Sequence, residues 1–248
     1  VSDKLVNSKM ALDFAYALYL RLTISKEVSV SEVKKIVQKW YVLSVLTGRY
    51  SNSPETAFYR DIRQINEIGV VATLERIEAA ILSDSFWNVA VVQALAYTST
   101  INPTYLVYLA AQVYLNDMSL LSNNISVRYL VEMSGDVHHI FPKEYLKSNG
   151  FSQNLYNQNA NYAYLDTQVN KSIGKKAPYV YFAEAVTQCE TKEITCGSIT
   201  ELDVLKANLA VNCIPFEICD WDHSNYEEFL HTRRVLMAQK IKKYYYSL

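Results

Sequence analysis

Glycine and proline are scarce in this chain of 248 residues, which contains six glycines and five prolines. Both lie well below the usual shares of roughly 7% and 5% in globular proteins. Because these two residues supply most of the tight turns that a sheet-rich fold needs, their scarcity favours a mostly helical chain. Half of the residues are hydrophobic and a fifth are charged, which is typical of a soluble globular protein with one large core or two smaller ones.

Helix signals are frequent, and apolar residues recur at helical spacing from the start of the chain to about residue 130. Ser29 and Glu32 form a capping-box pattern, and Pro54 after Ser53 marks a second helix start. Ser224 and the glutamate three residues later form another capping-box pattern, which predicts the start of a long C-terminal helix.

The predicted C-terminal helix is amphipathic. We expect it to turn four apolar side chains toward the core, namely Phe229, Val235, Leu236 and Ile241. We expect its basic side chains to lie mostly on the outside, namely Arg233, Arg234, Lys240, Lys242 and Lys243. The two arginines are interpreted as structural or surface residues rather than contacts to DNA.

The longest uncharged run lies between Asp84 and Asp117, and its length alone would suit a membrane span. Its polar residues and the break at Asn102 and Pro103 favour two buried helices instead. The first 20 residues show no charged leader with an apolar core, and the chain begins with Val1. We therefore expect a cytoplasmic fragment of a longer protein, with a segment missing on its N-terminal side.

Four cysteines lie 7, 17 and 6 positions apart, namely Cys189, Cys196, Cys213 and Cys219. Zinc sites use shorter paired spacings than these. Free buried thiols are therefore expected rather than disulfides or metal ligands.

The net charge of −1 hides a separation of sign along the chain. Residues 143–176 carry five lysines against two acidic residues, and residues 223–248 carry five basic residues against two acidic ones. A polyanion could therefore meet a local basic surface, although the whole chain is not basic.

Between residues 134 and 182 the helical pattern gives way to a strand, a long loop, a second strand and a short helix. The first strand is in SGDVHHIFP and contains two of the four histidines of the chain, His138 and His139. The second is in NYAYLD, which begins at Asn161, and the helix is in TQVNKSIGKK, which ends near Gly174. His223 and His231, the other two histidines, have no evident partners, and we expect no catalytic role for them.

Adjacent residues of a strand point to opposite faces, so the two neighbouring histidines can have different roles. A neutral imidazole is a good general base near neutral pH. An imidazole together with an amide oxygen makes a sparse metal site, which leaves positions for water and phosphate oxygens as magnesium prefers. Such a pair of functions suits the hydrolysis of phosphodiesters, with activity that rises with pH through the histidine pKa.

The stretch HHIFPKEYL, followed by NYAYLDTQVNKSIGKK, resembles the HNH (His-Me finger, ββα-metal) nuclease motif. The flanking stretches WYVLSVLTGRYSNSPETAFYRDI, KAPYVYF and NYEEFLHTRRVLMAQKI resemble the C-terminal part of one group that carries this motif. That group is the GmrSD-like, modification-dependent restriction and phage-defence proteins of bacteria, in which a ParB-like nucleotide-binding domain precedes a helical region and the HNH domain.

The resemblance implies a role for each position that matches the motif. His138 is in the place of the first metal ligand, and Asn170 is in the place of the last one. His139 is in the place of the general base. Asn161 matches the middle residue of the catalytic motif, which usually fixes the loop through backbone hydrogen bonds.

Three further residues are weaker candidates for the site. Asp136 lies two positions before the first ligand, so strand alternation would make it an extra ligand or a partner of one. Lys171 and Lys175 are expected on the same short helix, where they could contact phosphates. Taken without the motif, such lysines would be a solvated helix end.

We therefore expect a mainly α, α+β chain with an embedded ββα-metal finger. Residues 1–130 would form a helical scaffold, and residues 131–248 would form the nuclease domain. The predicted activity is that of a DNA endonuclease or nickase that depends on Mg²⁺ or Mn²⁺. Its partners would be DNA and a ParB-like domain, with no membrane, and a homo-oligomer stays open. The alternatives are an RNA-cleaving nuclease and a non-catalytic module that binds DNA or docks a partner.

Overall fold

A computed structural model describes residues 6, 8–133, 135 and 137–248, and most of these residues are helical. The helices that precede the strands are α1 (Lys9–Ser25), α2 (Val30–Thr47), α3 (Pro54–Ile68), α4 (Val70–Ile81), α5 (Val91–Ala94), α6 (Pro103–Tyr114) and α7 (Val127–Glu132). A π-helical turn, Phe86–Ala90, leads into α5. The expectation of a mainly helical chain is therefore confirmed.

The remaining elements belong to the second half of the chain. The strands are β1 (Val137–His139) and β2 (Tyr162–Tyr164). The helices are α8 (Lys143–Ser148), α9 (Gln153–Tyr156), α10 (Thr167–Ile173), α11 (Pro178–Thr191), α12 (Leu202–Val211) and α13 (Tyr226–Ser247). Among the described residues, 3₁₀ turns occupy Asn159–Asn161, Phe216–Asp220 and His223–Asn225.

Three helix starts lie where local residues predict them. Ser29 and Glu32 form the predicted capping box ahead of α2, and α3 begins at Pro54. Helix α6 begins directly after Asn102, whose side-chain oxygen accepts a hydrogen bond of 3.0 Å from the Tyr105 amide. This cap satisfies one of the amide groups that a helix leaves unpaired at its N-terminus. In the part of the chain that the structure describes, no helix combines the length and the hydropathy that a membrane crossing requires.

The predicted start of α13 is wrong. Ser224 and Glu227 do not form a capping box, because Asp222 binds both the amide and the hydroxyl of Ser224. Asp222 and Asn225 form a capping box on a 3₁₀ turn, and α13 begins only at Tyr226. A competing acidic residue two positions upstream therefore displaces the helix start.

The predicted outward direction of the basic side chains on α13 is also wrong for two of them. Arg233 is completely buried, and Lys240 forms an ion pair with Asp117 in a nearly buried position. The reason is that α13 packs against α2, α5 and α6 and also contacts the turn Asn159–Asn161. A helix surrounded by other elements buries polar residues wherever partners for them are available.

The buried side chains form one continuous hydrophobic cluster that extends along the chain from Ala11 to Tyr245. Helix α13 contributes apolar side chains to it, among them Phe229 and Ile241 as predicted. The cluster joins the N-terminal helices to the elements around the two strands. The strands are therefore held by the same core as the helices.

The strands are antiparallel, with His138 opposite Ala163 and His139 opposite Tyr162. Helix α10 follows β2, begins at an Asp166 cap and ends at Gly174. The predicted order of strand, loop, strand and helix is thus observed, and the loop contains α8 and α9. The second strand begins one residue later than predicted, because Asn161 is the last residue of a 3₁₀ turn.

All four cysteines are free thiols, as predicted, and three of them are buried. Cys189 lies in α11, and Cys196 lies in the connection that follows this helix. Gln188 fixes this connection, since its side-chain oxygen accepts hydrogen bonds from the amides of Thr195 and Cys196. Its side-chain nitrogen donates to the Ile199 carbonyl at 2.7 Å.

Gly197 lies in the same connection, at a close approach to Leu121. Its φ of +80° is in the left-handed region, and a Cβ atom there would lie 2.2 Å from the Leu121 carbonyl oxygen. Only glycine avoids both the strained backbone and this overlap. The connection between α11 and α12 therefore depends on the absence of a side chain at one position.

We expect Gly197→Ala to lower the free energy of unfolding by about 3 kcal/mol or more, because the backbone at Leu121 must move. Gly150→Ala is the matched control: Gly150 has a φ of +86° but no atom within 4 Å of the added Cβ. Its cost should be only the backbone strain of about 1 kcal/mol. Urea unfolding followed by circular dichroism measures both. Equal losses in the two variants would contradict the close approach at Leu121.

Candidate functional site

The two adjacent histidines of β1 have different surroundings. His138 is 3% exposed, and the edge of its ring packs against the Tyr181 ring with centroids 6.0 Å apart. Its Nδ1 atom lies 2.7 Å from Oδ1 of Asn170 on α10. This hydrogen bond joins the first strand to the helix across 32 positions of sequence.

The Asn170 contact determines where the proton of His138 resides. An amide oxygen only accepts hydrogen bonds, so Nδ1 of His138 carries the hydrogen and Nε2 carries the lone pair. Nε2 is buried and has no hydrogen-bond partner within the described part of the chain. Burial lowers the pKa of His138 to about 4, although the Asn170 contact opposes this shift. The imidazole is therefore neutral near neutral pH, as a metal ligand must be.

His139 is half-buried on the other face of the strand. Its Nε2 lies 2.9 Å from Oδ1 of Asn157, and its ring meets the Tyr162 ring edge-on at 5.0 Å. Burial lowers the pKa of His139 below the usual 6.5, and the charge of Lys143 lowers it further, while the Asn157 hydrogen bond opposes both. The ring is thus neutral at pH 7, and the acidic limb of any activity that depends on it would lie below pH 6.5.

Asn161 connects the two ends of the loop that separates the strands. Its Nδ2 donates to the carbonyls of Phe141 and Tyr156, each at 3.0 Å, and its Oδ1 accepts from the Phe141 amide at 2.8 Å. The side chain is completely buried. Asn161 is thus in a position to fix the loop, and it does not face solvent.

Two buried residues outside the motif support the strands from behind. The Tyr181 hydroxyl donates to the Ile140 carbonyl at 2.7 Å. Arg233 Nη1 donates to the carbonyls of Ala160 and Tyr162 at 2.7 and 2.8 Å. These bonds satisfy a backbone carbonyl just after His139 and two carbonyls at the start of the facing strand, which limits movement of the strands.

The candidate phosphate-binding lysines are exposed. Lys171 lies in the last turn of α10, and Lys175 follows that helix. Lys143 lies at the start of α8, with its ammonium group 5.7 Å from the centre of the Tyr156 ring. None of these three lysines forms an ion pair with a described residue, whereas Lys147 pairs with Glu144 at 3.3 Å. Asp136, the other candidate, lies outside the described residues.

His138 and Asn170 are suitable as two ligands of a divalent cation. Two ligands at adjacent corners of an octahedron with metal–ligand distances near 2.1 Å lie roughly 3 Å apart. The atoms Nδ1 and Oδ1 are 2.7 Å apart, which is close to that separation. Because Nδ1 carries the hydrogen of this bond, a cation bound at Nδ1 would replace the bond, and the ring hydrogen would then be on Nε2. No group of three histidine, cysteine, aspartate or glutamate side chains could hold a metal ion among the described residues. Any cation here would keep most of its positions for water and phosphate oxygens.

Sequence reasoning missed Asn157, Lys143 and Tyr181 and misjudged His223. Lys143 lies within HHIFPKEYL itself, and its nearness to the histidines along the chain was an available signal. Asn157 and Tyr181 reach the site only through the fold, so their spacing offered none. His223 has a partner after all, because its amide and its Nδ1 both contact the hydroxyl of Tyr145.

Comparison with known proteins identifies one similar protein. No family model matches the chain, and no solved structure matches it. An uncharacterized protein of Methanocaldococcus jannaschii is 25% identical over 224 residues, which cover 83% of this chain and 36% of that protein. The chain thus spans about a third of the length of this relative.

Acid should destabilise the fold through His138. The folded protein lowers the pKa from 6.5 to about 4, so below pH 6.5 the unfolded chain binds a proton that the folded chain resists. The stability that the neutral ring contributes is complete above pH 6.5 and is lost as the pH falls toward 4. The full loss is roughly 3 kcal/mol.

We expect His138→Gln to reduce the fall in unfolding free energy between about pH 7.5 and about pH 5, measured by urea unfolding. The comparison isolates one group, because carboxylates titrate equally in both proteins. NMR titration of the His138 ring in the wild-type protein provides a second measurement that needs no variant. A ring that becomes protonated near pH 6.5 in the folded protein would contradict the shift.

Proposed function

We propose that the chain is a DNA endonuclease or nickase of the HNH type, which hydrolyses phosphodiester bonds with the help of Mg²⁺ or Mn²⁺. The contact between His138 and Asn170 carries the proposal, because it brings two candidate ligands together from a strand and a helix. His139 supports it, since this neutral imidazole is the next residue of the same strand.

In the proposed mechanism His139 accepts a proton from the water that attacks phosphorus. His138 and Asn170 would hold the cation. When bound, the cation supplies stabilisation of the negative charge that develops on the phosphoryl and leaving oxygens. Asn161 acts on the loop rather than on substrate, because its polar side-chain atoms are already bonded to the backbone.

The lysines near the histidines would bind the DNA backbone. Lys143, Lys171 and Lys175 are exposed, and no carboxylate of the described chain neutralises them. Lysines free of acidic partners keep their charge available for phosphates. This local surface is compatible with a polyanionic substrate despite the net charge of −1.

The wider setting is also a proposal. The chain would be the effector part of a modification-dependent restriction or phage-defence protein in the cytoplasm. A ParB-like domain would be its partner, residues 1–130 the scaffold and residues 131–248 the nuclease domain. The matched protein of Methanocaldococcus jannaschii is long enough to contain further domains, since the chain spans 36% of it.

Plasmid cleavage tests the proposed activity. We expect nicking of supercoiled DNA with Mg²⁺ or Mn²⁺ and none with EDTA. His139→Ala should abolish nicking but leave folding and DNA binding largely intact, because the half-buried ring is not part of the buried hydrophobic cluster. His231→Ala is the matched control, since this histidine is exposed on α13. Its activity should equal that of the wild-type protein.

Other outcomes would identify the alternatives. Equal cleavage by wild-type protein and His139→Ala would remove His139 as the base. Cleavage of RNA but not of DNA would indicate the RNA-cleaving nuclease. DNA binding without cleavage, with no metal bound in a calorimetric titration, would indicate the non-catalytic module.

Removal of a lysine charge should weaken DNA binding without regard to sequence. We expect Lys143→Gln, Lys171→Gln and Lys175→Gln each to lower the slope of log affinity against log salt by about 1. Lys147→Gln is the control, because its charge is paired with Glu144. Fluorescence anisotropy with a labelled duplex at several salt concentrations measures the slopes. An effect of Lys147→Gln as large as the others would contradict the assigned surface.

A further inference from the structure

We infer that Asn157 is a positioning residue, which fixes the orientation and the tautomer of His139 so that Nδ1 is the nitrogen that faces water. This role rests on the proposed nuclease function where it concerns catalysis. Asn157 lies at the end of α9, 18 positions after the histidine.

The hydrogen bond between the two side chains assigns the proton. Nε2 of His139 lies 2.9 Å from Oδ1 of Asn157. An amide oxygen has no hydrogen to donate, so Nε2 must carry the hydrogen of the neutral ring. Nδ1 then carries the lone pair and is the basic nitrogen.

Water can reach Nδ1 of His139 but cannot reach the free nitrogen of His138. Nδ1 of His139 makes no hydrogen bond with a described residue and is absent from the buried unpaired atoms. Nε2 of His138, by contrast, is one of those buried unpaired atoms. Of the two histidines, only His139 therefore offers a lone pair to solvent, and only it can take a proton from water.

The ring contacts of His139 do not by themselves determine which nitrogen faces water. Its neighbours are the rings of Tyr162, edge-on at 5.0 Å, and Tyr156, at 6.4 Å. Aromatic contacts of this kind would be equally favourable if the imidazole were rotated by 180° about its Cβ–Cγ bond. The directional contact to Asn157 is what distinguishes the two orientations.

The backbone on both sides of Asn157 is held, so its side chain has a fixed origin. The Asn157 amide donates to the Gln153 carbonyl at 3.1 Å. The Tyr156 carbonyl accepts from Asn161 at 3.0 Å, and the Asn159 amide donates to the Tyr97 carbonyl at 2.9 Å. A side chain on such a support can orient the residue that it contacts.

The experiment combines ¹⁵N NMR of the histidine rings with single-turnover cleavage at saturating DNA. In the wild-type protein we expect a protonated Nε2 and an unprotonated Nδ1 for His139. Asn157→Leu removes the acceptor at similar size, so the two ring nitrogens should move toward the averaged shifts of mixed tautomers. The cleavage rate should fall roughly 10- to 100-fold, with DNA affinity unchanged.

Two further variants make the test specific. Asn157→Asp keeps an acceptor in place, so it should retain the protonated Nε2 and recover most of the rate. Asn154→Leu is the matched control, because Asn154 is exposed on the same short helix. It should behave as the wild-type protein in both measurements, which separates the orienting contact from a general effect on α9.

The inference would be overturned by a wild-type His139 with its proton on Nδ1, or by Asn157→Leu with unchanged shifts and rate. The NMR measurement needs no cleavage, so it distinguishes failure of this inference from failure of the nuclease proposal. A wild-type protein that fixes the tautomer through Asn157 but cuts no DNA would refute the proposed activity and retain the orienting contact.

Discussion

The buried guanidinium of Arg233 is the interaction on which the rest of the site depends. It has no carboxylate partner among the described residues, and it donates instead to the carbonyls of Ala160, Tyr162 and Asn212. Burial of a charge costs several kcal/mol unless its hydrogen-bonding capacity is used. Several charge-assisted bonds to carbonyl oxygens offset that cost, and they connect α13, the end of α12 and the second strand.

The position of the histidines follows from this connection. Arg233 holds the carbonyls on either side of Asn161, and the Asn161 side chain in turn holds the Phe141 backbone just beyond β1. The turn between the loop and β2 is thus bonded to the core on one side and to the first strand on the other. With strands of only three residues each, ladder hydrogen bonds alone would be a weak constraint. The separation of His138 from α10 is therefore set largely by buried side chains.

Local signals account for the parts of the fold that could be predicted from the sequence. The starts of α2 at Ser29 and of α3 at Pro54 depend on residues within one turn, so no tertiary information is needed. The failure at Ser224 arose from a neighbouring acidic residue that competes for the same groups. The burial of Arg233 and Lys240 was beyond prediction for another reason. Amphipathic periodicity shows which face of a helix is apolar, but it does not show that other elements cover the polar face too.

The candidate site also has one part that the sequence predicts and another part that it does not. The spacing of His138, Asn161 and Asn170 predicts which elements meet, and two of the predicted ligands do lie in contact, with atoms 2.7 Å apart. Which nitrogen of His139 faces solvent depends instead on Asn157, a loop residue whose place follows only from the packing of α9. Loops between fixed strands vary freely in length, so sequence spacing carries no information about such a contact. The position of the proton on His139 thus depends on the loop between the strands, which hydrophobic periodicity does not describe.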